Sequence, residues 1–259
     1  MKVRLYQVDA FTSRLFAGNP AAVCPLESWL DDQTMQAIAA ENNLAETAFF
    51  VGSGGRYDLR WFTPLVEVDL CGHATLASAF VIFNRLEPSL EAVSFRSKSG
   101  ELRVTRSGDR LTLDFPAWPP ERREVSGALT RALGAAPREA WESHDLMAVY
   151  DSEDDVRRLT PAMDLVAALE GFAVIATAPG QTADFVSRFF APRQGIPEDP
   201  VTGRAHCTLV PYWARRLGKP RLHALQLSRR GGELFCEDRG DRVAISGHAV
   251  QFLEGTIEV

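Results

Sequence analysis

The chain has 259 residues, 46% of them hydrophobic and 24% charged, with a net charge of −6. This is the composition of a globular protein long enough for one large domain or two ordinary ones, and it excludes coiled-coil, collagen-like and disordered classes. The acidic balance gives no footprint for nucleic acid. The longest apolar runs, such as residues 79–83, fall far short of the ~20 residues of a membrane span. Four scattered cysteines (Cys24, Cys71, Cys207, Cys236) form no C-x-x-C, which points to a reduced, cytoplasmic compartment rather than a disulfide scaffold.

The first residues, Met1 to Tyr6, read as a strand. A helix pattern over 31–41 leads into a strand over 47–51, and Gly52-Ser53-Gly54-Gly55 reads as a hairpin turn before a strand over 57–63. A polar loop follows, then a helix pattern beginning at Gly72; residues 76–83 are apolar almost all round, as in a helix buried inside a sheet. Residues 100–113 read as a hairpin, and Pro116-Ala117-Trp118-Pro119-Pro120 as a rigid linker. Beyond it, a helix pattern over 162–169 precedes strands over 172–177 and 184–190. A helix from Gly203, a second hairpin over 232–245 and a strand over 250–259 complete the chain.

The order of these elements contains a duplication. GELRVTRSGDRLTL (100–113) and GELFCEDRGDRVAI (232–245) share Gly-Glu-Leu and Gly-Asp-Arg at the same spacing. Arg60-Trp61-Phe62-Thr63-Pro64 likewise matches Arg188-Phe189-Phe190-Ala191-Pro192, and each is followed by an acidic loop, a glycine and an apolar helix pattern. The expected architecture is therefore α+β, with two copies of one unit, each a mostly antiparallel sheet wrapped around a central helix. The first copy spans 1–116, with 250–259 returning to complete it, and the second spans 121–249.

Two related domains favour a ligand site between them. Gly72-His73-Ala74 and Gly203-Arg204-Ala205 fall at the starts of two helices, where free N–H groups and the helix dipole suit an anion such as a carboxylate; close packing by glycine is the plainer reading. Glu46 adjoins an apolar strand, where desolvation raises a carboxyl pKa toward values useful for proton transfer, unless it merely points to water. Asp199, in Glu-Asp-Pro, is a second acid/base or a turn former, and His73 a proton donor, a substrate ligand or a helix cap.

Other chemistries lack a pattern. His144, His206, His223 and His248 read as structural or surface residues, and Asp69, Cys71, His73, His206 and Cys207 lack metal-ligand spacing, so no metal is expected. No cofactor motif is present, and no cofactor is expected. A two-thiol racemase would need a partner for Cys71, but the repeat places Thr202 opposite it. A Cys71–His73 hydrolase would need side chains that converge, and two residues apart at a helix start they are expected to diverge without a third orienting group.

Four segments carry a family resemblance: VDAFTSRLFAGNPAAVC (8–24), NNLAETAFF (42–50), RWFTPLVEVDLCGHATLA (60–77) and GIPEDPVTGRAH (195–206). Together they resemble the PhzF-like family, named for phenazine biosynthesis, within the diaminopimelate-epimerase-like fold. The resemblance implies a cofactor-free isomerase or epimerase acting on a small carboxylate. It places Glu46 on the proton-shuttling glutamate, His73 and Asp199 on the other active-site positions, and Gly72, Gly203, Arg204 and Asn19 on substrate-binding positions. It also implies a homodimer. Arg204 stands where the family usually has a small serine. Two readings stay open for it: pairing with a substrate anion, or filling the space that a ring substrate needs. The rival function is a binding or regulatory protein that keeps the cleft and has lost turnover.

Overall fold

Alternating side chains over the first residues give β1 (Lys2–Ala10), and an antiparallel partner, β2 (Asn19–Leu26), follows in the computed structural model, which describes residues 1–259. The helix α1 (Asp32–Asn42) starts where the Asp31 side chain accepts the Thr34 N–H, and stops where Asn43 turns left-handed at φ 51°. It delivers β3 (Glu46–Ser53) parallel to β2. Gly54 and Gly55, both at positive φ, turn β3 into antiparallel β4 (Arg56–Phe62). The short β5 (Glu67–Val68) then leads to α2 (Gly72–Val81), which a π-turn over Ile82–Leu86 ends. The chain returns as β6 (Ala92–Ser97), parallel to β4, and continues antiparallel through β7 (Gly100–Ser107) and β8 (Arg110–Pro116).

Nine of the ten residues of α2 are buried. Its two hydroxyls are satisfied internally, with Thr75 Oγ1 donating to Cys71 O and Ser78 Oγ to Ala74 O at 2.8 Å. An apolar helix with inward-bonded hydroxyls can sit inside a sheet without stranded polar groups along its length.

The second half opens with β9 (Glu121–Arg123), α3 (Gly127–Leu133), β10 (Glu139–Glu142) and β11 (Leu146–Val149). Two short helices follow, α4 (Glu153–Arg158) and α5 (Met163–Ala167), then β12 (Val174–Pro179) and β13 (Phe185–Phe190). The central helix is α6 (His206–Leu217), followed by β14 (Arg221–Gln226), β15 (Gly232–Asp238) and β16 (Arg242–Gly247). Trp213 of α6 stacks on Phe185 at 5.7 Å, and its indole N–H donates to Thr177 Oγ1 at 3.0 Å. The last strand, β17 (Ala249–Glu258), pairs antiparallel with β1 along its whole length. Two compact units result: Met1–Asp114 with Ser246–Val259, and Phe115–Ile245. No helix is long and apolar enough to cross a membrane.

The duplication is visible in the order of strand pairing. From β1 to β7 the pairs run antiparallel, parallel, antiparallel, parallel, antiparallel. From β10 to β15 they run the same way. The fold is α+β, with a mostly antiparallel sheet around a helix in each unit.

Three expectations need correction. The helix expected over 162–169 is only one turn, and α4 precedes it, because Ser152 and Asp155 form a reciprocal capping box over an unexpected segment. The helix expected from Gly203 begins at His206: residues 203–205 form a tighter turn, whose His206, Cys207 and Thr208 N–H groups bond three residues back. The Pro-rich segment 116–120 is not a bare linker, because the Trp118 N–H donates to Cys207 O at 2.8 Å.

The shared Gly-Asp-Arg turns place Gly108 at φ 64° and Gly240 at φ 87°, each with open space where a Cβ would stand. Alanine at either position should therefore cost only the left-handed backbone penalty, about 1–2 kcal/mol in denaturant unfolding, and the two losses should be similar.

Candidate active site

The first unit brings together Asn19, Glu46, Gly72 and His73. Glu46 opens β3 opposite Ala21 of β2, and His73 is the second residue of α2. The His73 Nε2 stands 3.1 Å from Glu46 Oε2, with Glu46 9% and His73 4% exposed. On the ring's other edge, the Asn19 side-chain amide meets Nδ1 at 3.1 Å. The Nε2 edge faces the Glu46 carboxylate. Apart from this contact, the buried Oε2 and Nε2 atoms find no hydrogen-bonding partner in the protein.

Cys71 joins the cluster, against expectation. Its Sγ lies 3.5 Å from His73 Nδ1, and Glu46 is the third group that the sequence had not supplied. The side chains converge because Cys71 precedes the helix in extended backbone (φ −142°, ψ 114°), so helical spacing does not direct it. Burial, reinforced by the Glu46 charge, pushes the Cys71 thiol up, so it stays protonated at neutral pH. Burial opposes charging of His73, but the facing Glu46 carboxylate works against burial and holds the imidazole above its ordinary range.

Glu46, Cys71 and His73 present ligand atoms within 4.8 Å of one another. Cys71 faces Nδ1 and Glu46 faces Nε2, so the two flank opposite edges of the same ring.

The second unit organises Asp199, Gly203 and Arg204. Asp199 is 8% exposed, and its N–H donates to Phe189 O at 3.0 Å. The Thr202 hydroxyl donates to Asp199 Oδ2 at 2.5 Å. Gln226, at the end of β14, donates to Asp199 O at 2.9 Å and to Thr202 Oγ1 at 3.2 Å, and accepts the Thr202 N–H at 2.8 Å. Neither Thr202 nor Gln226 stood out in the sequence as a support for Asp199, because Gln226 lies 27 residues away and has no motif around it. His206 is structural: its Nδ1 meets Thr202 O at 2.9 Å, and burial pulls the ring down to about 4, so it stays neutral.

Arg204 pairs with Asp145 rather than Asp199, and its guanidinium lies 4.3 Å from the Phe172 ring centroid and 5.7 Å from that of Trp118. Burial pushes the Asp145 carboxyl up to about 6 although Arg204 draws it down.

Both loops that carry these residues are pinned alike. Arg60 grips Glu67 through Nε and Nη2 at 2.8 and 2.9 Å, and Arg188 grips Glu198 through the same atoms at 2.7 and 2.9 Å. Each arginine also lies over a phenylalanine of its own strand, Phe62 or Phe190. These planar forks fix where each loop leaves its strand.

The family model for phenazine biosynthesis-like proteins matches residues 8–255. The chain belongs to this family. It is 51% identical, over the full length of both chains, to an uncharacterised isomerase of Pseudomonas aeruginosa. The crystal structure of a PhzF-family phenazine biosynthesis protein from Enterococcus faecalis superposes with a TM-score of 0.98 at 48% identity, covering all of both chains. A protein of Pseudomonas aeruginosa named a predicted epimerase shares the fold, with a TM-score of 0.76 at 18% identity over 99% of each chain. With relatives of this kind along its whole length, the chain is an isomerase of the phenazine biosynthesis-like family.

The coupling of His73 to Glu46 gives a direct test. In Glu46→Gln the imidazole loses its anionic neighbour, so its titration, followed by NMR of the ring C–H signals, should move down toward the ordinary histidine range or below it. A titration unchanged by the substitution would contradict the geometry.

Proposed function

We propose that this isomerase moves a proton on a small carboxylate-bearing substrate without a cofactor, with Glu46 as the acid/base. The observation that carries the reading is the pair of buried atoms, Glu46 Oε2 and His73 Nε2, which face each other at 3.1 Å and are otherwise unpartnered in the protein. Polar atoms left open in a buried place are expected where a substrate completes the hydrogen bonding.

The charge balance suits a proton shuttle. Before reaction, the Glu46 carboxylate and the His73 imidazolium are together neutral. When Glu46 takes a proton from substrate carbon, the imidazolium is left uncompensated just as the substrate becomes an anion, and it stabilises that anion. Glu46 then returns the proton to a different carbon, or to the other face of the same one, and neutrality is restored. The first-turn N–H groups of α2, with no side-chain cap from Cys71, are donors suited to the substrate carboxylate. Asp199, oriented by Thr202, is assigned to holding the substrate and balancing charge, with Gly72, Gly203, Arg204 and Asn19 as further binding residues. The rival reading is a binding protein plugged by Arg204 against Asp199 or Glu46, and the Arg204–Asp145 ion pair takes support away from its Asp199 form.

A screen of small carboxylates for deuterium uptake from solvent reports the chemistry before any product is known. With a substrate so found, Glu46→Gln should keep the shape of the site and lower the exchange rate roughly 10²–10⁴-fold. Undiminished exchange would exclude Glu46 as the acid/base.

A further inference from the structure

We propose that Arg204 determines substrate specificity by reading a second carboxylate, so that the substrate class is a small dicarboxylate; this inference rests on the isomerase reading above.

Three element ends converge on the Arg204 side chain. Asp145 precedes β11 and Phe172 lies just before β12, and these parallel neighbours are tied at that end by the Leu146 N–H donating to Ala173 O at 3.1 Å. Trp118 is tied to the start of α6 through Cys207 O, and Ser143 to the same helix through Thr208 Oγ1 at 2.8 Å. The guanidinium therefore extends away from its own backbone into a preformed clamp. A carboxylate held at the backbone of the 203–205 turn would lie a side-chain length from it, and the anion it reads belongs to another part of the ligand.

The clamp leaves one approach open. Phe172 and Trp118 lie against the guanidinium, and Asp145 takes one hydrogen from Nη2. Nε and Nη1 bond to nothing in the protein, and the side chain is 20% exposed. With rings over the guanidinium, a ligand meets it at its edge, where the N–H groups form a planar fork that matches a carboxylate. Phe172, itself 44% exposed, offers an apolar wall for the hydrocarbon between two acid groups.

Asp145 supplies the second observation. Its side chain is fully buried, and its Oδ2 has no hydrogen-bond partner. An acid placed there at such cost is a positioning residue: it holds the guanidinium in register and keeps the empty site from carrying a lone half-buried cation. Because it also offsets part of the positive charge, anion binding depends on two-point geometry rather than on charge alone.

The experiment compares binding of succinate, glutarate and adipate, each against its monoamide, by titration calorimetry on the intact protein. At least one diacid should bind about tenfold or more tightly than its monoamide, the discrimination expected when a charge-assisted pair is lost. Arg204→Ser should erase that preference and lower the melting temperature, because it strands the buried Asp145; Arg204→Ser with Asp145→Asn should recover the melting temperature without the preference, and Arg204→Lys should restore only part of the preference. Asp145→Asn should weaken diacid binding in the native background and have no effect on it in Arg204→Ser, because it acts through Arg204. Equal or absent binding of diacid and monoamide by the native protein overturns the proposal. So does an Arg204→Ser variant that binds diacids as tightly as before or more tightly. Failure of the isomerase reading would look different: no deuterium exchange in any compound, with the diacid preference intact.

Discussion

A helix surrounded by strands must keep its polar groups satisfied without water, and α2 meets that requirement everywhere except at its start. Its side chains are apolar or bond back to the preceding turn, so the body of the helix makes no demand on the sheet. The first-turn N–H groups have no such remedy, because Cys71 offers no cap. The inner end of α2 is thus a point of unmet hydrogen-bonding capacity in an apolar setting, and His73 is carried there by the same geometry. Glu46, at the mouth of a strand packed beside it, makes this a place where charge and protons can be exchanged. The Arg60–Glu67 and Arg188–Glu198 forks matter for the same reason, since a helix threaded into a sheet must enter along a fixed path.

The two units share a scaffold and differ in what they place on it. The first holds three titratable groups in contact, Cys71, His73 and Glu46. The second holds Asp199 within a net of hydroxyl and amide bonds from Thr202 and Gln226. Thr202 corresponds to Cys71 in the repeat, and its hydroxyl is committed to Asp199. Duplication here has set a cluster of titratable groups in one unit and a rigid hydrogen-bond net in the other, and a symmetric two-thiol device has no second member.

What could be read from the sequence followed distance along the chain. Alternation and turn chemistry are local, so the hairpins over 100–113 and 232–245 and most of the strands were legible. Glu46 and His73 each sit in a motif at an element boundary, and the fold brings the two side chains to 3.1 Å. The start of α6 was misplaced by three residues because the 203–205 turn differs from a helix only in which carbonyl each N–H selects. The convergence of Cys71 on His73 was hidden in one pair of dihedral angles. Asp145 was invisible for another reason: its partner lies 59 residues away, and nothing near it marks an acid as buried.

The Arg204–Asp145 pair also has a bearing on how this protein can change. Two charges withdrawn from water, with one oxygen unsatisfied, make a costly way to fill space, and well-packed apolar replacements of similar volume commonly gain about 1–4 kcal/mol over such pairs. Carrying this pair therefore costs the second unit stability that a packed apolar pair of the same volume would supply.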